Sequence, residues 1–283
     1  MNALNIEHLR TWEGREERRS DLLALSPAQA LAATLNHDPA LLVEGTTLPP
    51  LYHWLYFPSL ALQSELARDG HARLGDFMPP VPLPRRMFAG ARVDYHGDLR
   101  IGAPVERVAR IQAVRYKEGR SGPLVFVTVR YELRDAEGLK LVEEQDIAYR
   151  PATSAAPDRP SSVASTATPA DFGREIVPDE TLLFRFSALT FNAHRIHYDL
   201  PYTRDEGYPA LVIHGPLTAV LLADLVTQHT GRRGLQHFSF RALSAFYLGD
   251  TISLVGTRSG DRIELEARHG SGAAGVTAVA VFG

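Results

Sequence analysis

Phe186-Ser-Ala-Leu-Thr-Phe-Asn-Ala-His-Arg-Ile-His-Tyr-Asp199 and, just downstream, Val212-Ile-His-Gly-Pro-Leu-Thr-Ala-Val-Leu-Leu222 decide how this chain is read. The first stretch gathers Asn192, His194, Arg195, His197 and Asp199 within eight residues, directly after an apolar run. That density of donors and acceptors is unusual for a loop, and imidazoles carry protons near neutral pH. The second stretch reads as a short strand ending at His214, a turn at Gly215, and an apolar helix opened by Pro216. Proline is favoured at the first helical position, and a free backbone N–H there polarises a carbonyl oxygen. Leu217, Val220, Leu221 and Leu225 supply the stripe that such a helix buries. A base-bearing loop beside a helix N-terminus points to carbonyl or thioester chemistry.

Around this centre the chain divides in two. Its 283 residues exceed one ordinary domain and suit two of roughly 130 residues each. Residues 151–170 hold 4 Pro, 6 Ala, 4 Ser and 3 Thr, a composition that builds no core and reads as a linker between domains at 1–150 and 171–283. In the first half, Ser26-Pro-Ala-Gln29 is a capping-box pattern that predicts a helix over 27–36, and 59–68 reads as a weak helix. Alternating apolar and polar residues predict strands at 88–94, 105–116, 124–134 and 139–149, with Gly119-Arg-Ser-Gly122 and Asp135-Ala-Glu-Gly138 as hairpin turns. The second half repeats this grammar with a leading helix and strands near 236–243, 251–258, 262–269 and 275–282. Arg100-Ile-Gly-Ala-Pro-Val105 and Tyr247-Leu-Gly-Asp-Thr-Ile252 occupy matching places, so the pattern implies an internal duplication, each half a helix wrapped by an antiparallel sheet. Glu143-Glu144 and the Arg15–Arg19 cluster read as solvated faces. Gly270-Ser-Gly-Ala-Ala-Gly275 lies between two strands and reads as a hairpin turn, not a nucleotide-binding loop.

Composition excludes several functions. A net charge of −3 offers no basic field for nucleic acid or an anionic membrane. The absence of cysteine removes disulfides, thiolate nucleophiles and Cys-ligated zinc. The first 21 residues, rich in Arg and Glu, lack the apolar core of a secretory signal, and no apolar run of about 18 residues spans a bilayer. A cytoplasmic location is the resulting expectation. A metal held by His194-x-x-His197 would need Asp199 or His214 as third ligand, neither at a standard zinc spacing, so no metal is expected. Asp199 reads as the cap of the following turn.

The His-rich segment resembles the signature of the MaoC-like, hot-dog-fold enoyl-thioester hydratases, a loop Asp-x-Asn-Pro-(Leu/Ile)-His before a Val-His-Gly and the central helix. Laid on without gaps, the family's Asp falls on Asn192, its Asn on His194, its Pro on Arg195 and its His on His197; His214-Gly215 is the turn. A closer likeness is to the branch with Thr-Phe-Asn-x-His-Arg-Ile-His-Tyr-Asp. That branch contains type 2 3-hydroxyacyl-thioester dehydratases and mesaconyl-C4-CoA and itaconyl-CoA hydratases. The likeness extends through Leu48-Pro-Pro-Leu-Tyr-His-Trp-Leu-Tyr-Phe57, Pro79-Pro-Val-Pro-Leu-Pro-Arg-Arg-Met87 and Glu143-Glu-Gln-Asp-Ile147. It implies an α+β double hot dog whose two helix-wrapped antiparallel sheets join like those of a dimer, with the site in the second half.

Residue chemistry then suggests roles. His197 is expected to relay the proton, Asn192 to hold the water, His194 to share the proton work or orient His197, and the Gly215 N–H to stabilise the thioester enolate. Arg195 is expected to grip a free substrate carboxylate, with Arg85 and Arg86 as second candidates and His214 also against the substrate. Arg115, Lys117 and Arg120 are candidate phosphate contacts. The resemblance implies the substrate, a short branched dicarboxylate CoA thioester, itaconyl-CoA or mesaconyl-C4-CoA giving citramalyl-CoA, and Arg195 is the physical reason that goes with it. CoA would be part of the substrate, with no separate cofactor and a homodimer as the possible assembly. Two other readings stay open: a 3-hydroxyacyl-thioester dehydratase, and, in another class, a thioesterase or non-catalytic acyl-thioester binder.

Overall fold

The computed structural model describes residues 4–119, 122–152, 170–230 and 234–283. Ten antiparallel strands form one sheet: β1 (Glu16–Leu22), β2 (Arg85–Tyr95), β3 (Pro104–Gly119), β4 (Gly122–Asp135), β5 (Gly138–Arg150), β6 (Phe172–Ile176), β7 (Leu235–Ala242), β8 (Ile252–Ser259), β9 (Arg262–Arg268) and β10 (Ala274–Phe282). Their spatial order is β1-β3-β4-β5-β2-β7-β10-β9-β8-β6. Adding five to each strand number of the first half gives the second half's order read inward from its own edge, so the halves share one topology. They meet where β2 pairs with β7 from Gly90↔Arg241 to Asp94↔His237. Gly90 is required there, because a Cβ would stand 2.4 Å from the Phe240 carbonyl oxygen. The proposed linker falls on residues 153–169, outside the described residues.

The helices are α1 (Ile6–Arg10), α2 (Leu25–Thr34), α3 (Glu180–Leu189), α4 (Leu200–Asp205) and α5 (Gly215–Thr230). Helix α5 buries Leu217 through Ala223, Leu225 and Val226. A helix apolar all round must be enclosed, and α5 lies against strands β6 to β10 and β2. The principal core runs through both halves, joining α5 to Leu31, Tyr52, Val93 and Leu141 of the first half.

Several expectations from sequence need correction. Helix α2 starts before Ser26, with Ala24 as its cap and no side-chain capping bond, while Gln29 donates to the Leu42 carbonyl instead of closing a box. Residues 59–68 form no α-helix; only a short turn of 3-10 helix at Gln63–Glu65 survives. Glu143 is 2% exposed, because it accepts from Trp54 Nε1 (2.9 Å) and Gln145 Nε2 (2.9 Å) and meets His53 Nε2 at 2.9 Å. The Arg15–Arg19 stretch mostly belongs to edge strand β1, whose charges pair with Glu16, Glu17 and Glu106.

Candidate active site

The 186–199 segment leaves α3 through a tight turn. Asn192 N donates to Ser187 O (2.8 Å), and the Asn192 carboxamide oxygen accepts from the His194 N–H (3.0 Å). A 3-10 turn at Arg195–His197 follows, and Asp199 caps α4 by accepting from Tyr202 N (3.0 Å). The extended chain at 212–214 ties to this turn twice: Val212 N donates to Ile196 O (2.9 Å), and His197 Nδ1 donates to Val212 O (2.7 Å). A carbonyl only accepts, so the proton of His197 is on Nδ1 and Nε2 carries the lone pair.

The imidazoles stand in a row. His214 stacks on His197 with ring centroids 3.6 Å apart, His197 meets His194 edge-on at 5.4 Å, and His194 meets His71 at 4.4 Å. His214 is wholly buried, its Nε2 2.8 Å from Ser187 Oγ, and its Nδ1 has no hydrogen-bond partner among the described residues. His197 and His194 are 7% and 9% exposed. Burial pushes His197 down to about 4, against the raising effect of its bond to Val212. Burial, then the neighbouring imidazoles, holds His194 and His214 well below the usual histidine range. All three are therefore neutral at pH 7 and able to accept a proton. Helix α5 begins immediately after His214, and its first-turn N–H groups, Gly215 among them, lack intrahelical acceptors.

His71 was not singled out in the sequence. It sits on a loop of the first half, 65–73, closed by Ala67 N to His71 O (2.7 Å) and Arg73 N to Glu65 O (3.1 Å). Asp69 holds it twice, Oδ1 accepting from the His71 N–H (3.0 Å) and Oδ2 from Nδ1 (2.9 Å). Burial opposes ionisation of Asp69, but the bonds and charge of His71 keep its carboxyl well below the usual range. Burial and the Arg86 charge push His71 down. The Asp-Gly pair at 69–70 is the turn signal that marked the loop. Gly70 has φ +93°, and a Cβ there would lie 1.9 Å from the Ala193 carbonyl oxygen. Arg195 N donates to Asp69 O (2.9 Å), so the two loops dock backbone to backbone.

The arginines divide sharply. Arg195 is engaged within the chain: Nε and Nη2 donate to Asp199 Oδ2 (2.9 and 2.6 Å), and the guanidinium covers the Tyr202 ring at 4.5 Å. The i,i+4 spacing brings the pair together and occupies the fork. Arg85 is buried and donates to Glu206 Oε2 (3.0 Å). Arg86, half-buried, has no hydrogen-bond or ion-pair partner among the described residues, and its charge lowers both His71 and His194. It lines a shallow cleft with His194, Tyr202, Glu206 and Tyr208. A wider hollow over the outer face of β1, β3 and β4 is walled by mutually paired charges such as Arg18 with Glu106, and no imidazole lines it. His214 is wholly buried against His197, and the Asn192 oxygen is engaged by the His194 N–H. Arg115 and Lys117 are exposed on β3, and Arg120 is outside the described residues.

Asp69, His71 and His194 place ligand atoms within 4.8 Å of one another, a donor set that suits a metal in type. Both Asp69 oxygens are already engaged by His71, and the adjacent Arg86 charge disfavours a cation.

The sequence profile of the hydroxyacyl-thioester dehydratase type 2 family matches residues 51–248. The chain belongs to that family. It is 48% identical over 273 residues to a mesaconyl-C(4)-CoA hydratase of Chloroflexus aurantiacus, covering 96% of this chain and 97% of that protein. In fold it resembles a MaoC-like dehydratase from Phytophthora capsici, with a TM-score of 0.72 and 14% identity, covering 99% of this chain and 98% of the other. A Mycobacterium tuberculosis protein described as a double hotdog superposes with a TM-score of 0.56 at 14% identity, over 95% of this chain and 96% of its own. The fold is therefore a double hot dog, and the enzyme class is hydro-lyase. Among the described residues no helix is long and apolar enough to cross a membrane.

Proposed function

We propose that this family member hydrates a short branched dicarboxylate CoA thioester, mesaconyl-C4-CoA or itaconyl-CoA, to citramalyl-CoA, in C5-dicarboxylate metabolism. The observation that carries this reading is the unpaired, half-buried Arg86 beside His194 in a chain 48% identical to a mesaconyl-C(4)-CoA hydratase. In mesaconyl-C4-CoA the free carboxylate is borne by the β-carbon, the carbon that receives water. A guanidinium gripping that carboxylate holds the β-carbon near the imidazoles. CoA enters as part of the substrate, and no other cofactor takes part.

With mesaconyl-C4-CoA, whose C=C is conjugated with the thioester, His197 Nε2, its other nitrogen fixed to Val212 O, handles the proton exchanged with the α-carbon. The Gly215 N–H, at the start of α5, stabilises the thioester enolate. Arg195 braces the loop through Asp199. The second reading, a 3-hydroxyacyl-thioester dehydratase, is favoured by the family profile itself.

Comparing kcat/KM for mesaconyl-C4-CoA and itaconyl-CoA with that for crotonyl- and hexenoyl-CoA separates the two. A site with a cation waiting for a carboxylate should discriminate against the uncharged chains by about 10²-fold or more. Arg86→Leu should erase that preference and Arg195→Leu should keep it. Preference of the wild type for the uncharged substrates sinks the dicarboxylate assignment.

A further inference from the structure

Hydration needs an acceptor for the water proton besides His197, which serves the α-carbon, and His194 beside it is nearly enclosed. Residue 192 is an amide whose oxygen already accepts from the His194 N–H. Asp199, the loop's one carboxylate, is taken up by Arg195 and by the start of α4. The imidazole row, however, does not end at His194. It continues onto His71 of the other half, which is 25% exposed at its side chain where His194 and His197 are nearly enclosed. The Asp69 carboxylate accepts a hydrogen bond from His71 Nδ1–H, which leaves the Nε2 lone pair for another partner. The pair is rigidly placed: Asp69 grips both the backbone and the ring of His71, and Gly70 is flush against Ala193.

We propose that His71, oriented by Asp69, is a second catalytic proton carrier, contributed by the first half to a site whose other imidazoles come from the second. The proposal rests on the hydratase reading above. In the step, an O–H bond of water breaks as the oxygen bonds to the β-carbon, and the proton goes to His71 Nε2. The C=C electron pair moves onto the thioester oxygen as an enolate. The enolate returns that pair to form a C–H bond at the α-carbon, its proton delivered from the imidazole row, where His194 stands between His71 and His197. One water is consumed and each imidazole ends as it began. Asp69 is a positioning residue that also stabilises the imidazolium while it lasts. The charged and titratable groups facing His71 are Asp69, Arg86 and His194, with His197 behind.

The test is hydration of mesaconyl-C4-CoA by the intact protein and by His71→Gln and Asp69→Asn. Glutamine keeps a donor toward Asp69 but cannot titrate. His71→Gln should lower kcat about 10²-fold or more and abolish the acid limb of the kcat–pH profile, while KM stays within about 3-fold. Asp69→Asn should lower kcat about 10-fold and move the acid limb to lower pH, because an imidazole that loses its carboxylate partner is less basic. A His71→Gln protein with kcat within about 3-fold of wild type and an unmoved limb overturns the assignment. If His71→Gln does not fold, Asp69→Asn decides alone, and wild-type kcat with an unmoved limb overturns it. A wild-type protein that hydrates no enoyl thioester overturns the hydratase reading instead, before any variant is made.

Discussion

Lowering the pH from 7 to 5 should strip much of this protein's stability through three buried imidazoles. His197, His194 and His214 all have folded pKa values depressed by burial, His197 to about 4. A depressed imidazole contributes stability above its unfolded pKa of about 6.5 and loses it as pH falls toward the folded value, because the unfolded chain binds the proton more readily. For His197 the loss between pH 7 and 5 is roughly 2 kcal/mol. His194 and His214 lose stability in the same direction, so the total is a sizeable share of the about 5–15 kcal/mol of an ordinary domain. The depressed carboxyls, such as Asp69 and Asp146, give up their contribution only as pH falls below about 4, so this window isolates the imidazoles. Urea melts at pH 7 and pH 5 measure the difference, and unfolding at pH 5 should take up about three protons from these residues. A free energy of unfolding that is flat or rising toward pH 5 would refute neutral burial of the row.

His197→Gln should lower kcat for hydration by about 10²-fold or more with little change in KM, since the proton carrier is lost while the substrate contacts remain; near-full turnover removes His197 from the chemistry. Gly70→Ala should cost about 1–3 kcal/mol in thermal or urea melts and lower kcat, because φ is +93° and the new Cβ meets the Ala193 carbonyl oxygen at 1.9 Å. Gly45→Ala is its control: φ is +83° in open space, so only the conformational cost of about 1–2 kcal/mol applies and kcat is unchanged. Equal kcat for the two variants would show that the docking of the loops does not matter to turnover.

What the sequence discloses and what it hides follow from the range of the forces involved. Helix α5 and the eight inner strands are local patterns, periods of apolar residues legible within seven to sixteen positions. Edge strands β1 and β6 are short or charged and bury little, so alternation barely marks them. Glu143 looks solvated because its partners His53 and Trp54 lie about ninety residues away. The fate of Arg195 was legible in principle, since Asp199 stands one helical turn on, and a cation four residues from a carboxylate finds it before a ligand does. Asp69 and His71 were not, because their meaning comes from Ala193 and Arg195 more than 120 residues downstream.

The two halves share a strand order, yet the His-rich loop is on one and the Asp69–His71 loop on the other. A symmetric pair of identical halves would have to place every group twice. A chain with two unequal halves is released from that constraint, so one loop can keep the imidazoles and an amide at 192 while a carboxylate–imidazole pair is supplied across the join. The join itself must then be rigid. The β2–β7 ladder fixes it over five residue pairs, and Gly90 lets the two strands approach without a side chain between them. Arg86 lies on the same strand, four residues before Gly90, which sets the unpaired guanidinium and the histidine row at one register. On the proposed reading, recognition of the substrate and transfer of its proton both depend on one sheet junction rather than on either half alone.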